Sequence, residues 1–288
     1  MSEKVKIIEC PRDAMQGIKP FIPTEEKVRY LQSLMGCGFD TIDFGSFVSP
    51  KAIPQMMDTA EVLAQLDLSE TTSKLLAIVA NIRGANDAVL HDEIDYLGFP
   101  FSISENFQMR NTHKTIEQSV QTLQEIINIA ETTGKEVVTY ISMGFGNPYG
   151  DPWNVEIVGE WTEKLAAMGA RILSLSDTVG TSTPDVIDYL FSNLIPKYPE
   201  IEFGAHLHTT PTKWYEKVDA AYNAGCRRFD GAVQGFGGCP MAKDELTGNM
   251  PTEKMLSYFN SAKVDSGVNW LVFEAAYNKA SELFAEYH

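Results

Sequence analysis

IEQSVQTLQEIINIAETTGKEVVTYISM, residues 116–143, contains one complete helix-to-strand unit. Ile116, Val120, Leu123 and Ile127 recur at helical spacing and give the segment a single apolar face. Gly134 stands where that helix has to stop, and residues 136–143 then read as a strand. The same succession continues in both directions. Strand-like runs fall at residues 4–10, 40–44, 75–82, 96–104, 136–143, 171–177, 201–208 and 227–233. Between them, Val28, Leu31, Leu34 and Met35 share one helical face, and Val155, Val158, Leu165 and Met168 another. Gly36, Gly134, Gly169 and Gly225 each precede a strand and are expected to close helices in the left-handed conformation. Eight such units predict a closed (β/α)8 TIM barrel rather than an open doubly wound sheet, and 288 residues suit one barrel. The whole chain, 1–288, is read as one catalytic domain. Its residues 251–288 form a C-terminal helical extension, with a helix near 252–262 and a last one rich in alanine and aromatics.

A formal charge of -16 argues against general electrostatic binding to nucleic acid or to an anionic membrane. The chain has no apolar run long enough to span a bilayer, and its N-terminus lacks the pattern of a secretory signal. A cytoplasmic location is therefore expected. Cys10, Cys37, Cys226 and Cys239 show no Cys-x-x-Cys spacing and are expected to stay reduced.

Chemistry concentrates where strands end, because barrel enzymes build their sites at the C-terminal ends of their strands. In Phe203-Gly-Ala-His-Leu-His208 two histidines stand two residues apart at the end of the seventh strand, so alternation points both the same way and lets them grip one metal. Asp13 follows the first strand, Asp43 lies near the end of the second and Asp177 ends the sixth, so closure brings carboxylates to the same mouth. Singly, each aspartate reads better as a cap for the following turn or helix. Arg12, next to Asp13, sets a permanent cation beside a possible ligand, an arrangement suited to an oxygen that gains negative charge. The run 235–240, Gly-Phe-Gly-Gly-Cys-Pro, is expected to be a mobile flap that brings Cys239 over the mouth. No dinucleotide fingerprint, nucleophile elbow or Walker A sequence is present.

Taken together, these stretches resemble the hydroxymethylglutaryl-CoA lyases of the DRE-TIM metallolyase superfamily. Residues 5–16, Val-Lys-Ile-Ile-Glu-Cys-Pro-Arg-Asp-Ala-Met-Gln, look like the family's first-strand signature. Further blocks follow in order: Ser46-Phe-Val-Ser-Pro-Lys51, Ile53-Pro-Gln-Met56, Ser102-Ile-Ser-Glu-Asn-Phe107, Ser176-Asp-Thr-Val-Gly180, His206-Leu-His208, Gly237-Gly-Cys-Pro240 and Gly248-Asn249. The resemblance implies a metal, Mg or Mn with Zn or Co as alternatives, held by Asp13, His206, His208 and Asn249. It implies retro-Claisen cleavage of 3-hydroxy-3-methylglutaryl-CoA, or a related 3-hydroxyacyl-CoA, to acetyl-CoA and a ketone. Arg12 would stabilise the enolate, His206 and Cys239 would transfer protons, and Asp177 would support the substrate hydroxyl. Lys19 and Lys51 are weaker candidates for contacts to an acidic acyl-CoA. A homodimer is implied by resemblance only.

Three positions depart from the family pattern. Asp43 stands where glutamate is usual, Thr209 where an acidic residue follows the histidine pair, and Asn147 where a cysteine precedes Pro148-Tyr149. The shorter Asp43 is expected to lose a catalytic contact. Other readings are a Claisen-type acyltransferase or a 2-oxo acid aldolase of the same superfamily, a metal-dependent amidohydrolase, and a barrel that binds metal or acyl-CoA without turnover.

Overall fold

The computed structural model describes residues 3–238 and 247–287. Eight parallel strands close into a barrel: β1 (Lys6–Glu9), β2 (Thr41–Ser46), β3 (Lys74–Ile78), β4 (Tyr96–Ser102), β5 (Glu136–Ser142), β6 (Ile172–Ser176), β7 (Glu202–His206) and β9 (Arg228–Gly231). Pairing of Lys6 with Arg228 and of Ile8 with Asp230 joins the last strand to the first. The period of two sorts the core. Leu76, Ile78, Val138 and Tyr140 cluster with Tyr96 and Ile172, whereas Leu75, Ala77, Val137 and Ile141 join the larger cluster beneath the helices. The helix predicted after residue 115 runs Ile116–Thr132 and opens with a capping box between Thr115 and Gln118.

Gly134, Gly169 and Gly225 have positive φ, as expected of helix ends. Gly36 does not: its φ is -87°, and the left-handed residue is Gly38 at +84°. A side chain at Gly38 would place Cβ 2.6 Å from the carbonyl oxygen of Gly267, so the turn is fixed by a close backbone approach two residues beyond the expected cap.

The seventh strand is shorter than the sequence suggests. It stops at His206, and two residues later a short ladder begins in which β8 (His208–Thr209) runs antiparallel to β10 (Gly248–Asn249). This ladder lies outside the barrel and sets Asn249 directly opposite His208. Helices Thr252–Ser261 and Trp270–Tyr287 follow. The last packs on helix Thr24–Met35 through edge-to-face contact of Tyr30 with Phe284, and Phe284 also stacks on Phe236 in the connection after β9. It therefore buttresses the segment that leads into the mouth. Among the described residues no helix is long and apolar enough to cross a membrane.

Candidate metal centre at the barrel mouth

Pro11, whose ring suits the first helical position, turns the chain out of β1 into the short helix Pro11–Gln16. Residues one turn apart in that helix meet: Arg12 Nη1 donates to Gln16 Oε1 at 2.9 Å, and Gln16 Nε2 donates to Asp13 Oδ1 at 2.6 Å. Across the mouth, β7 and the β8–β10 ladder present His206, His208 and Asn249. Ligand atoms of Asp13, His206 and His208 all lie within 4.8 Å of one another. Asn249 Nδ2 donates to Asp13 Oδ2 and to the carbonyl of Phe236, both at 2.8 Å, which directs its amide oxygen elsewhere. Gly237 closes this corner. A Cβ there would come within 2.6 Å of the Asp13 carbonyl oxygen and 2.9 Å of Asn249 Nδ2, and its φ is +84°.

The donors suit a divalent cation. His208 Nδ1 lies 3.0 Å from the carbonyl oxygen of Thr178, which can only accept, so Nδ1 carries the proton and Nε2 presents a bare lone pair. That Nε2 is buried and has no hydrogen-bond partner among the described residues, as expected of a ligand atom. His206 is oriented similarly, with Nδ1 3.1 Å from Asp230 Oδ2, the carboxylate–histidine arrangement common behind metal ligands. With the Asp13 carboxylate, the two imidazoles make a set that fits Mg, Mn, Zn or Co.

Charge in the site is polarised. Burial opposes ionisation of Asp13, but Arg12, the two histidines and the Asn249 hydrogen bond outweigh it and hold the carboxyl below its ordinary value. Burial, and then the neighbouring His206, pushes His208 down to about 4, which keeps its ring neutral. Burial also opposes charge on His206, yet the Asp230 contact overcomes it and raises that pKa. Asp43 is driven up to about 6 by burial in spite of Arg12.

A cavity of about 350 Å³ opens here, with Arg12, Asp13, His206 and His208 on one side and Ile78, Phe107 and Tyr140 among its apolar walls. A larger one, about 580 Å³, lies at the opposite end of the barrel and includes Lys6, Lys74, Glu202 and Arg228. Its charged groups largely pair with each other, as in Lys6–Glu202 and Arg228–Glu202.

Not every expected residue reaches the mouth. Asp43 is fully buried and grips the guanidinium of Arg12, with Oδ2 2.5 Å from Nη2 and 3.0 Å from Nε, so its shorter side chain serves Arg12 and does not face the cavity. Asp177 faces away: its carboxylate takes Lys217 Nζ at 2.8 Å and the Ser182 hydroxyl and backbone amide, which corrects its assignment to the substrate hydroxyl. Lys19 and Lys51 are exposed and outside the cavity wall. Thr209 donates to the carbonyl of Thr210, and Asn147 organises its own loop through Tyr149 and Asp151. Gly235 to Gly238 pack against the site instead of standing off as a flap, and Cys239 lies outside the described residues. Asp230 and Gln16 went unrecognised in the sequence, although Asp230 has the same strand-end position that drew attention to Asp177.

The HMGL-like family model matches residues 4–278. Among curated relatives, the mitochondrial hydroxymethylglutaryl-CoA lyase of Mus musculus is 31% identical over 93% of this chain and 82% of its own length. The cytoplasmic 3-hydroxy-3-methylglutaryl-CoA lyase of Rattus norvegicus is also 31% identical, over 93% and 78%. Among solved structures, the HMG-CoA lyase of Brucella melitensis superposes with a TM-score of 0.91 at 30% identity, covering 98% of this chain and 99% of that one. The HMG-CoA lyase of Acinetobacter baumannii, solved with coenzyme A and 3-methylmalate, gives 0.89 at 27% identity, covering 98% and 92%. A family match over nearly the whole chain joins a mouth where ligand atoms of one aspartate and two histidines converge, and the chain belongs to the HMGL-like family.

Proposed function

We propose that this protein is a divalent-metal-dependent carbon–carbon lyase that cleaves 3-hydroxy-3-methylglutaryl-CoA, or a closely related 3-hydroxyacyl-CoA, to acetyl-CoA and a ketone, acetoacetate for the parent compound. The observation that carries this reading is the convergence of Asp13, His206 and His208 beside Arg12 on one cavity, with Asn249 hydrogen-bonded to Asp13 behind them. The cavity holds a branched acyl group but not coenzyme A, whose bulk would extend from the mouth.

Asp13, His206 and His208 would hold the cation, Mg or Mn in this reading, which would supply positive charge to acidify the tertiary hydroxyl and polarise the ketone oxygen. Asp13, kept ionised, is an acceptor for the hydroxyl proton within the same space. As the bond between C2 and C3 breaks, its electron pair moves to the thioester and charge grows on the thioester oxygen. Arg12 meets that charge. Four of its five N–H groups point at Asp43, Asp13 and Gln16, which leaves one Nη2 hydrogen and a fixed guanidinium plane for the oxygen. His206 Nε2 has one lone pair and cannot hold a cation and a proton together. We assign it to the cation, and protonation of C2 to Cys239. A cytoplasmic homodimer is the form expected.

The test is to supply purified protein with Mg or Mn and 3-hydroxy-3-methylglutaryl-CoA and follow acetyl-CoA and acetoacetate by mass spectrometry. Both products are expected in equal amounts, and neither from Asp13→Ala. Tight binding without product, measured by thermal shift, would replace the lyase with a binding protein.

A further inference from the structure

Around the C-terminal ends of β1, β7 and β9 lies a second group of potential ligands, of which the lyase reading uses only His206 as a ligand. Ligand atoms of Cys10, His206 and Asp230 lie within 4.8 Å of one another. Cys10 is the last residue before the helix Pro11–Gln16, and Asp230 lies in β9 directly across from Ile8. Both are buried, at 1% and 2% exposure, and Cys10 is a free thiol. Two further buried atoms beside them have no partner among the described residues: Asp230 Oδ1 and the hydroxyl of Tyr140, whose ring meets that of His206 edge-on at 5.6 Å. A thiol, an imidazole and a carboxylate with one unsatisfied oxygen, beside the unsatisfied Tyr140 hydroxyl, make a donor set different in character from the mouth, which offers no sulfur.

We infer that Cys10, His206 and Asp230 form an inner site for a thiophilic dication such as Zn²⁺ or Co²⁺, distinct from the mouth and in competition with it for His206. Thiolate and imidazole select such ions over Mg²⁺, and one thiolate with one carboxylate neutralises a dication in the barrel interior. The 3.1 Å between His206 Nδ1 and Asp230 Oδ2 already suits one edge of a tetrahedron, and the Cys10 sulfur lies within 4.8 Å of its two partners. On binding, the Cys10 thiol loses its proton to solvent, and the imidazole proton moves from Nδ1 to Nε2. Nε2 then has no lone pair to offer the mouth. A neutral His206 serves one site or the other, so a metal in the inner site disables the outer one. The inner site itself rests only on these three residues and stands whether or not the protein is a lyase.

Cobalt reports the difference directly, because a Co²⁺–thiolate bond gives an intense near-ultraviolet charge-transfer band that oxygen and nitrogen ligands do not. The full-length protein, stripped of metal and kept reduced, would be titrated with Co²⁺ alone, alongside Cys10→Ser, Asp13→Ala and Cys239→Ser. The band is expected in the unmodified protein, in Asp13→Ala and in Cys239→Ser, and it is expected to vanish in Cys10→Ser. Circular dichroism of Cys10→Ser checks that its barrel is intact, and Asp13→Ala, which keeps all three inner ligands, tests the site without touching the cysteine. A band that survives in Cys10→Ser and vanishes in Cys239→Ser would place the thiolate in the 239–246 segment and overturn the inference. So would cobalt binding with no such band in any form.

Discussion

Two buried ion pairs flank the mouth, and they do different things. Arg12 joins Asp43 on the side of β2, and Lys217 joins Asp177 on the side of β6. Asp177 stands just beyond the end of β6 and Asp43 inside β2, and both are almost fully buried. The cations differ in what they have left over. Lys217 spends all three N–H groups inside the protein, on Asp177 Oδ2 at 2.8 Å, the His208 carbonyl at 2.7 Å and the Gly180 carbonyl at 3.4 Å. Arg12 keeps a hydrogen free and lines the cavity. One pair fixes the backbone that carries His208, and the other presents charge to the cavity. A buried carboxylate of the barrel is thus assigned by its cation's remaining hydrogen-bonding capacity more than by its own position.

Lys217→Met tests the first half and should have the largest effect. Asp177 would be left buried with only Ser182, and breaking one side of such a pair costs about 3–5 kcal/mol of stability. Thermal and denaturant unfolding should show that loss, and Lys217→Met with Asp177→Leu should recover most of it. If instead Lys217→Met unfolds like the unmodified protein but has lost turnover, the two pairs have exchanged roles.

Arg12→Met tests the second half. Removing a donor aimed at developing charge costs about 2.7–4 kcal/mol of barrier, roughly 10²–10³-fold in kcat. Asp43 would also be stranded, so the variant loses stability too. The double variant Arg12→Met with Asp43→Leu separates the effects: unfolding should return toward that of the unmodified protein while kcat stays low. Arg12→Lys should not rescue turnover, because an ammonium cannot reproduce the planar fork held by Asp43, Asp13 and Gln16. A kcat for Arg12→Met within tenfold of the unmodified enzyme would remove Arg12 from the chemistry.

The contrast also explains what the sequence could show. Repeating β/α units announce themselves through period and glycine punctuation, so the barrel was legible, and His206 with His208 was legible through alternation. Asp13 and Asp177 carried the same signal, an aspartate just past a strand, and differ only because Lys217 reaches Asp177 from 40 residues away. Asp230 was passed over for the complementary reason: its partner, His206, became evident only once β7 and β9 stood side by side. The His208–Asn249 pairing rests on two-residue strands, too short for any periodicity to mark. Local pattern thus decides the scaffold, while the assignment of each charged group depends on contacts that only closure creates.

A third buried carboxylate gives the comparison its limiting case, because it has no cation. Glu9, in β1, is fully buried and takes the Val233 amide at 2.9 Å on Oε1 and the Thr252 hydroxyl at 2.6 Å on Oε2. Burial drives its pKa from 4.5 up to about 8, against those two hydrogen bonds. Between these values the unfolded chain has Glu9 ionised while the folded protein keeps it protonated. Its contribution to stability is therefore complete below about 4.5 and declines as pH rises to about 8, by about 1.4 kcal/mol per pH unit. Glu9→Gln retains an acceptor for Val233 and can turn its NH2 to the Thr252 hydroxyl oxygen, which then accepts, but it cannot ionise. The difference in unfolding free energy between Glu9→Gln and the unmodified protein should be small near pH 4.5, grow in favour of the variant through neutrality, and level off above pH 8. A difference that stays constant over that range would mean that Glu9 is ionised in the folded barrel, with a compensating charge supplied by a group other than Val233 and Thr252.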